Sequence, residues 1–152
     1  MKQTFRGYTL VEILVVVGMV SCAVVLGLAV SVPRLQSARL DSLMGDMASL
    51  IVVTQQNGYI GKHGTNHGVY FQSGSYSIFT GDSYASASSV DVVHYPTGTS
   101  MIAIMLDDNS NEVVFSRGTV RPTTYGSVRL SNGEDTLILE INEQGLVDWY
   151  AP

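Results

Sequence analysis

The sequence predicts an α+β protein in which one long N-terminal α-helix, membrane-spanning in its first half, packs on a small antiparallel β-sheet head. Three observations lead to this prediction. No charged residue stands between Ile13 and Pro33. Apolar residues then recur at spacings of three and four as far as Ile51, which is typical of a one-sided helix. After Gly61 apolar and polar residues alternate, which is typical of strands.

The first element is an apolar helix long enough to cross a bilayer. Its 21 uncharged residues extend over roughly 32 Å at about 1.5 Å per residue, against a hydrocarbon core of about 30 Å. Lys2 and Arg6 precede it, which predicts a cytoplasmic N-terminus. We therefore expect a single-pass protein of the cytoplasmic (inner) membrane with its C-terminal head outside.

Glu12 stands beside this apolar run, where a carboxylate costs about 2.5–3.5 kcal/mol on membrane-insertion scales. A cleaved secretory signal would need a shorter run and an Ala-x-Ala site. A lipoprotein signal acylated at Cys22 would turn polar after that residue, and this chain continues apolar. A plain membrane anchor remains as a third interpretation, and it leaves Glu12 without a partner.

The motif "RGYTLVE" at residues 6–12 resembles the cleavage site of type IV prepilins. In that family a prepilin peptidase/N-methyltransferase cuts after the Gly of a short basic leader, and a Glu stands fifth after the cut. The resemblance implies cleavage between Gly7 and Tyr8 and N-methylation of Tyr8, where the family usually has Phe. It divides the chain into a leader (1–7), a transmembrane and assembly helix (8–33) and a periplasmic or extracellular head (34–152).

The same resemblance implies an assembly role for Glu12. In a helical filament, its carboxylate would neutralise the free amine of Tyr8 on a neighbouring subunit, so that two charges costly in an apolar bundle are tolerated together. The expected partners are the peptidase, other pilin subunits through the N-terminal helix, and the inner membrane. Gly18 and Cys22 are small residues at the four-residue spacing that lets helices approach closely.

The second half of the helix is predicted to pack on the head through one apolar stripe that includes Leu40, Met44, Met47 and Ile51. Asn57-Gly58 is a typical helix C-terminus. Eight strands are predicted to follow. Two lie within residues 68–82, on either side of a turn at Ser73-Gly74, and the other six lie at 89–95, 101–106, 111–116, 126–131, 136–142 and 146–150.

This succession of strands resembles the GspH/FimT group of minor pilins and pseudopilins. The residues that carry the resemblance are "GVYFQSGSYSIF", "VVFSRGTVRPTTYGSVRLS" and "LILEINEQGLVDW". The resemblance implies two small β-sheets against the long helix, and a place near the filament tip where the subunit helps to initiate assembly. Some members bind DNA through arginines in the final segment, but this chain has no arginine after Arg129.

Other candidate sites give weaker patterns. Arg117, Arg121 and Arg129 could form a basic patch, but the net charge of −5 would repel a phosphate backbone, so we expect no DNA binding. His63 and His67 lack a third metal ligand nearby. The segment 107–112, "DDNSNE", has alternating oxygen ligands, as calcium loops do, but is equally typical of a hairpin turn.

The sequence thus predicts a minor pilin or pseudopilin, a structural subunit of a type IV pilus or type II secretion filament. Two alternatives stay open, namely a major pilin that forms the fibre shaft and a single-pass surface receptor or adhesin that does not polymerise. No enzymatic motif, cofactor site or metal site is expected.

Overall fold

A computed structural model of the protein describes the backbone of residues 9–152, and the side chains of residues 9–26 and 37–152. One long helix, α1 (Leu10–Tyr59), is followed by two 3₁₀ turns, Lys62–Gly64 and Tyr84–Ser86, and eight strands. The strands are β1 (His67–Gln72), β2 (Ser75–Thr80), β3 (Ser89–His94), β4 (Ser100–Leu106), β5 (Glu112–Phe115), β6 (Gly126–Ser131), β7 (Thr136–Ile141) and β8 (Val147–Tyr150). The chain divides into two compact units, residues 1–36 and 37–152.

The strands form two antiparallel sheets of four strands each. The first sheet has the order β3-β2-β1-β5 and the second has the order β4-β6-β7-β8. Four pairs of consecutive strands are neighbours, namely β1 with β2, β2 with β3, β6 with β7 and β7 with β8, and the β1–β2 hairpin closes at Gln72 and Ser75. The chain leaves the first sheet for β4, returns to it for β5, and leaves it again for β6.

The core of unit 37–152 lies where the second half of α1 meets the two sheets. Met44, Met47 and Ile51 of the helix are fully buried, which places the predicted apolar stripe in the core. Each sheet contributes alternate residues, as the period of two in a strand requires. The buried strand side chains of this cluster are Val69, Phe71, Tyr76, Met101, Leu106, Val113, Phe115, Val128, Leu130, Leu139 and Ile141.

A smaller aromatic cluster covers the other face of the first sheet. Tyr84 stacks on Tyr70 with ring centroids 4.1 Å apart, and meets the edge of Phe79 at 5.9 Å. Phe79 lies over Gly68, its partner in the β1–β2 register, where an added Cβ would stand 2.3 Å from the ring. This glycine is therefore required for close packing.

The C-terminus of α1 differs from the sequence prediction. Gly58 lies inside the helix and is buried, and the left-handed residue that follows the helix is Gly61, with φ of 64°. A Cβ on Gly58 would stand 2.7 Å from the carbonyl oxygen of Phe115 in β5. Gly58 thus allows the last helical turn to contact the backbone of a strand, and the helix ends at Tyr59, one residue beyond the predicted stop at Asn57-Gly58.

Within the residues that the structure describes, no helix has the length and apolar character needed to cross a membrane.

Two sequence predictions are corrected by this finding. The predicted fold class, a pilin fold whose long N-terminal helix is transmembrane in its first half and packs on a small antiparallel β-sheet head, is wrong, because the described helix has no membrane-spanning segment. The two sheets that the resemblance implied are present, with four strands each. The predicted localisation as a single-pass inner-membrane protein is wrong for the same physical reason.

Candidate assembly surface

The N-terminus of α1 is capped by Thr9. The backbone N–H of Glu12 donates to the Thr9 hydroxyl at 3.3 Å, and the N–H groups of Glu12 and Ile13 donate to the Thr9 carbonyl oxygen. Thr9 and Glu12 have the spacing of a capping box, in which a hydroxyl and an acid stand three residues apart at the start of a helix. A carboxylate in the first helical turn also interacts favourably with the positive end of the helix dipole.

This geometry gives Glu12 a local role that the sequence analysis missed. The pattern Thr-x-x-Glu before an apolar run is a known sign of a helix N-terminus, and it could have been identified at residues 9–12. Glu12 is thus accommodated by its place in the first turn of its own helix.

The helix that follows Glu12 is apolar around its whole circumference. Between Leu10 and Leu26, every large apolar side chain is 48–80% exposed, and no charged residue other than Glu12 interrupts the segment. The second half of the same helix is different, because its fully buried residues, such as Met44, Met47 and Ile51, all lie on one face of the helix. A helix that is apolar all round is stable when it is surrounded by other apolar surface. We call residues 10–26 the assembly segment.

Small residues lie within the assembly segment. Apart from the backbone of its own helix, no atom of the described residues comes within 4 Å of the place where Gly18 would carry a Cβ, and the Cys22 thiol is free and exposed. The Ser21 hydroxyl donates to the Val17 carbonyl oxygen at 2.8 Å, which satisfies the hydroxyl group inside the helix. The predicted processing residues Gly7 and Tyr8 lie outside the described residues.

The histidines of "KHGTNHG" are separated by the geometry of their loop. His67 is buried at the start of β1, where its Nε2 lies 3.0 Å from the Lys62 carbonyl oxygen and its Nδ1 lies 3.4 Å from the Thr80 hydroxyl. Both ring nitrogens therefore have protein partners. His63 is exposed with φ of 60°. Among the described side chains, no three His, Cys, Asp or Glu residues come together as metal ligands would.

The segment 107–112 is a hydrogen-bonded turn between β4 and β5. Asp107 accepts a hydrogen bond from the N–H of Tyr125, and Asp108 accepts from the N–H of Ser110 and the hydroxyl of Thr124. The bonds from Ser110, and to a smaller extent from Thr124, lower the pKa of Asp108. These carboxylates already bind donors of the protein, and their arrangement is that of a turn.

The three arginines considered as a basic patch lie on different elements. Arg117 follows β5, where its guanidinium donates to the Gly64 carbonyl oxygen at 3.3 Å and its backbone N–H donates to Asn66. Arg121 is in the loop before β6, and Arg129 is on β6 in the second sheet. Arg117 thus stabilises the loop after α1.

The exposed apolar side chains of the assembly segment are the feature that contacts among the described residues do not account for. No protein-family model, no curated protein and no solved structure matches the chain.

Proposed function

We propose that the protein is a structural subunit of a type IV pilus or type II secretion filament, and that it enters the filament through residues 10–26. The exposed, all-round apolar character of this assembly segment carries the proposal. The occupant of its surface is the same segment of other pilin subunits. A bundle of such helices buries every face of each helix, and small residues such as Gly18 allow close approach.

The proposal includes processing at the N-terminus. Cleavage after Gly7 leaves a free amine on Tyr8, and Glu12 is the one acid of the assembly segment. The carboxylate of one subunit then pairs with the amine of its neighbour. The pair sets the axial register of the bundle, because a displaced neighbour leaves both charges unpaired in apolar surroundings, at a cost of about 3–5 kcal/mol by analogy with other broken buried pairs.

The test must separate this pair from the favourable position of the Glu12 carboxylate in the first turn of α1. Glu12→Gln removes the charge, keeps the side-chain size and preserves a capping-box residue type. The matched control, Thr9→Ala, removes the hydroxyl that accepts from the Glu12 N–H, at a cost of about 1 kcal/mol, and leaves the carboxylate in place. The measurement is an immunoblot of sheared filaments and of the cells from which they were removed.

We expect Glu12→Gln to be processed normally and to disappear from the sheared fraction, whereas Thr9→Ala remains in it. Mass spectrometry of the mature N-terminus reports cleavage and methylation independently of assembly. Equal loss of both variants would assign Glu12 to helix capping alone. A mature chain that still begins at Met1 would refute the processing step. Copy number in the filament then distinguishes a minor from a major subunit.

A further inference from the structure

The dipeptide Asn-Gly occurs twice in this chain, in two different surroundings. Asn132-Gly133 begins the turn between β6 and β7, and Asn57-Gly58 lies in the last turn of α1. The side-chain amide of an asparagine can be attacked by the backbone nitrogen of the next residue, and a glycine leaves this nitrogen accessible because it has no side chain. The sequence makes both pairs candidates for this reaction, and the structure distinguishes them.

In the β6–β7 turn, the side-chain oxygen of Asn132 has two backbone donors. The N–H of Asp135 donates to Asn132 Oδ1 at 2.7 Å, and the N–H of Glu134 donates to it at 3.0 Å. These bonds hold the carboxamide over the backbone of Gly133. Because they end on the oxygen that gains negative charge when a nucleophile adds to the amide carbon, the two N–H groups form an oxyanion hole.

The nucleophile, the backbone nitrogen of Gly133, has a proton acceptor beside it. Its N–H donates to Ser131 Oγ at 3.1 Å. The Ser131 hydroxyl donates its own proton to the Asp135 carbonyl oxygen at 2.8 Å, so a lone pair of Oγ faces Gly133. Ser131 Oγ is thus placed to accept the proton that the Gly133 nitrogen loses as it attacks.

The leaving group, Asn132 Nδ2, is buried and has no hydrogen-bond partner among the residues that the structure describes. A buried polar atom without a partner costs free energy, and such atoms are rare in folded proteins. The intact amide is therefore destabilised in this turn, and loss of its nitrogen removes the cost.

We propose that Asn132 is a self-modifying site, which loses its amide nitrogen and becomes aspartate or isoaspartate. The Gly133 nitrogen forms a bond to Asn132 Cγ, and the bond between Cγ and Nδ2 breaks. The proton from Gly133 joins Nδ2, which leaves as ammonia, and a cyclic imide remains.

Water then adds to one of the two imide carbonyl groups and opens the ring. Opening at the side-chain carbonyl gives aspartate with the normal main chain, whereas opening at the main-chain carbonyl gives isoaspartate, whose main chain runs through Cβ. Water is the one co-reactant of the whole sequence. The proposal does not rest on the filament function.

Asn57-Gly58 lacks this arrangement. Both residues lie within α1, so a ring through the Gly58 nitrogen would require Asn57 to leave helical backbone angles and would break hydrogen bonds of the helix. The backbone of Gly58 also lies close to Phe115, since an added Cβ would stand 2.7 Å from the Phe115 carbonyl oxygen. We therefore expect the fold to protect this pair.

Asn142 supplies the opposite comparison. Its Oδ1 accepts from the N–H of Gln144 at 3.0 Å and from the N–H of Leu146 at 2.9 Å, which resembles the β6–β7 turn. The residue that follows is Glu143, whose side chain hinders approach to its own nitrogen. Asn57 thus has the right neighbour without the geometry, and Asn142 has a similar geometry without the right neighbour.

Peptide mapping of the purified full-length protein tests the proposal, because one sample contains all three asparagines. The protein is incubated at neutral pH, both folded and in concentrated urea, in water enriched in heavy oxygen. Mass spectrometry then measures the deamidation of each asparagine, the heavy oxygen incorporated and the isomer formed.

In the folded protein, Asn132 should deamidate at least about tenfold faster than Asn57 or Asn142, since a single oxyanion donor contributes about 10²–10³-fold in enzymes. Both aspartate and isoaspartate should form, each with heavy oxygen. In urea the advantage over Asn57 should disappear, and Asn132 itself should react more slowly than in the folded protein.

Ser131→Ala removes the proton acceptor, and Ser131→Thr is its matched control because it keeps a hydroxyl group. We expect Ser131→Ala to slow the deamidation of folded Asn132 by about tenfold and to leave its rate in urea unchanged, whereas Ser131→Thr retains the wild-type rate. An unchanged rate in Ser131→Ala would overturn the role assigned to Ser131. A folded Asn132 that reacts no faster than Asn57, or no faster than in urea, would overturn the proposal itself. Aspartate formed without isoaspartate would overturn it too, because direct hydrolysis gives that product alone.

Discussion

Replacing Gly58 by Ala should destabilise the protein, although alanine is the better helix former. Gly58 lies in the last turn of α1, and an added Cβ would meet the Phe115 carbonyl oxygen at 2.7 Å and the Phe115 Cβ at 3.0 Å. The oxygen belongs to the backbone of β5, which pairs with β1 and cannot move away at low cost. The strand or the helix end must shift.

The magnitude follows from two opposed effects. Overpacking in a close-packed interior costs about 1–3 kcal/mol. Gly→Ala inside a helix returns up to about 1 kcal/mol, and less at Gly58 because this residue is next to the helix end. The matched control is Gly45→Ala in the same helix, where the added Cβ would meet only Trp149, at 3.9 Å. Gly45→Ala should stabilise by about 0.5–1 kcal/mol.

Urea unfolding of the full-length chain, followed by the fluorescence of Trp149, measures both variants. Trp149 is the one tryptophan, and its indole N–H donates to Asp41 of α1 at 3.1 Å, so its signal reports the packing of the helix on the second sheet. We expect the free energy of unfolding of Gly58→Ala to lie about 0.5–4 kcal/mol below that of Gly45→Ala. A Gly58→Ala variant as stable as Gly45→Ala would refute the close contact between helix and strand.

Two further predictions concern single side chains. Gln55→Ala should lower the free energy of unfolding by about 1–2 kcal/mol in the same urea assay. The Gln55 amide donates to the carbonyl oxygens of Val120 and Gly145, and each bond contributes about 0.5–1.5 kcal/mol. An unchanged urea midpoint would contradict this prediction. Asp108 has a folded pKa below its ordinary 3.8, so its contribution to stability is complete above pH about 4 and is lost as the pH falls through the folded value. The stability difference between wild type and Asp108→Asn should therefore shrink on acidification, and a difference that stays constant from pH 6 to pH 2 would show that these hydrogen bonds do not depend on the charge.

The positions of the strands and the core face of α1 could be predicted from the sequence, because both depend on local period. Each of the eight predicted strands is present, and Leu40, Met44, Met47 and Ile51 are buried as the stripe indicates. The pairing of strands could not be predicted in this way. A sequence period of two shows which side chains of a strand share a face, but it does not show which strand lies beside it. The placement of β4 and β5 in different sheets could therefore be seen only in the structure.

The roles of individual residues were predicted less completely. Gly58 was interpreted as a helix stop, since the close approach of Phe115 comes from a residue 57 positions away in the chain. Glu12 was identified as a candidate, but its place beside the Thr9 cap was missed although the spacing was visible in the sequence. The predicted membrane-spanning half of the helix rested on the absence of charge over residues 13–33, and this absence of charge did not make the described helix one that could cross a membrane.

The alternation of the chain between the two sheets has a consequence for folding. Because β5 of the first sheet lies between β4 and β6 of the second, the first sheet cannot be completed until the chain has passed through the second sheet and returned. Pairing of β1 with β5 closes a loop of about 40 residues that contains all of β4, an entropic cost that local hairpins do not have. Completion of the first sheet should therefore be slow compared with helix formation and with pairing of the consecutive strands β1–β3 and β6–β8.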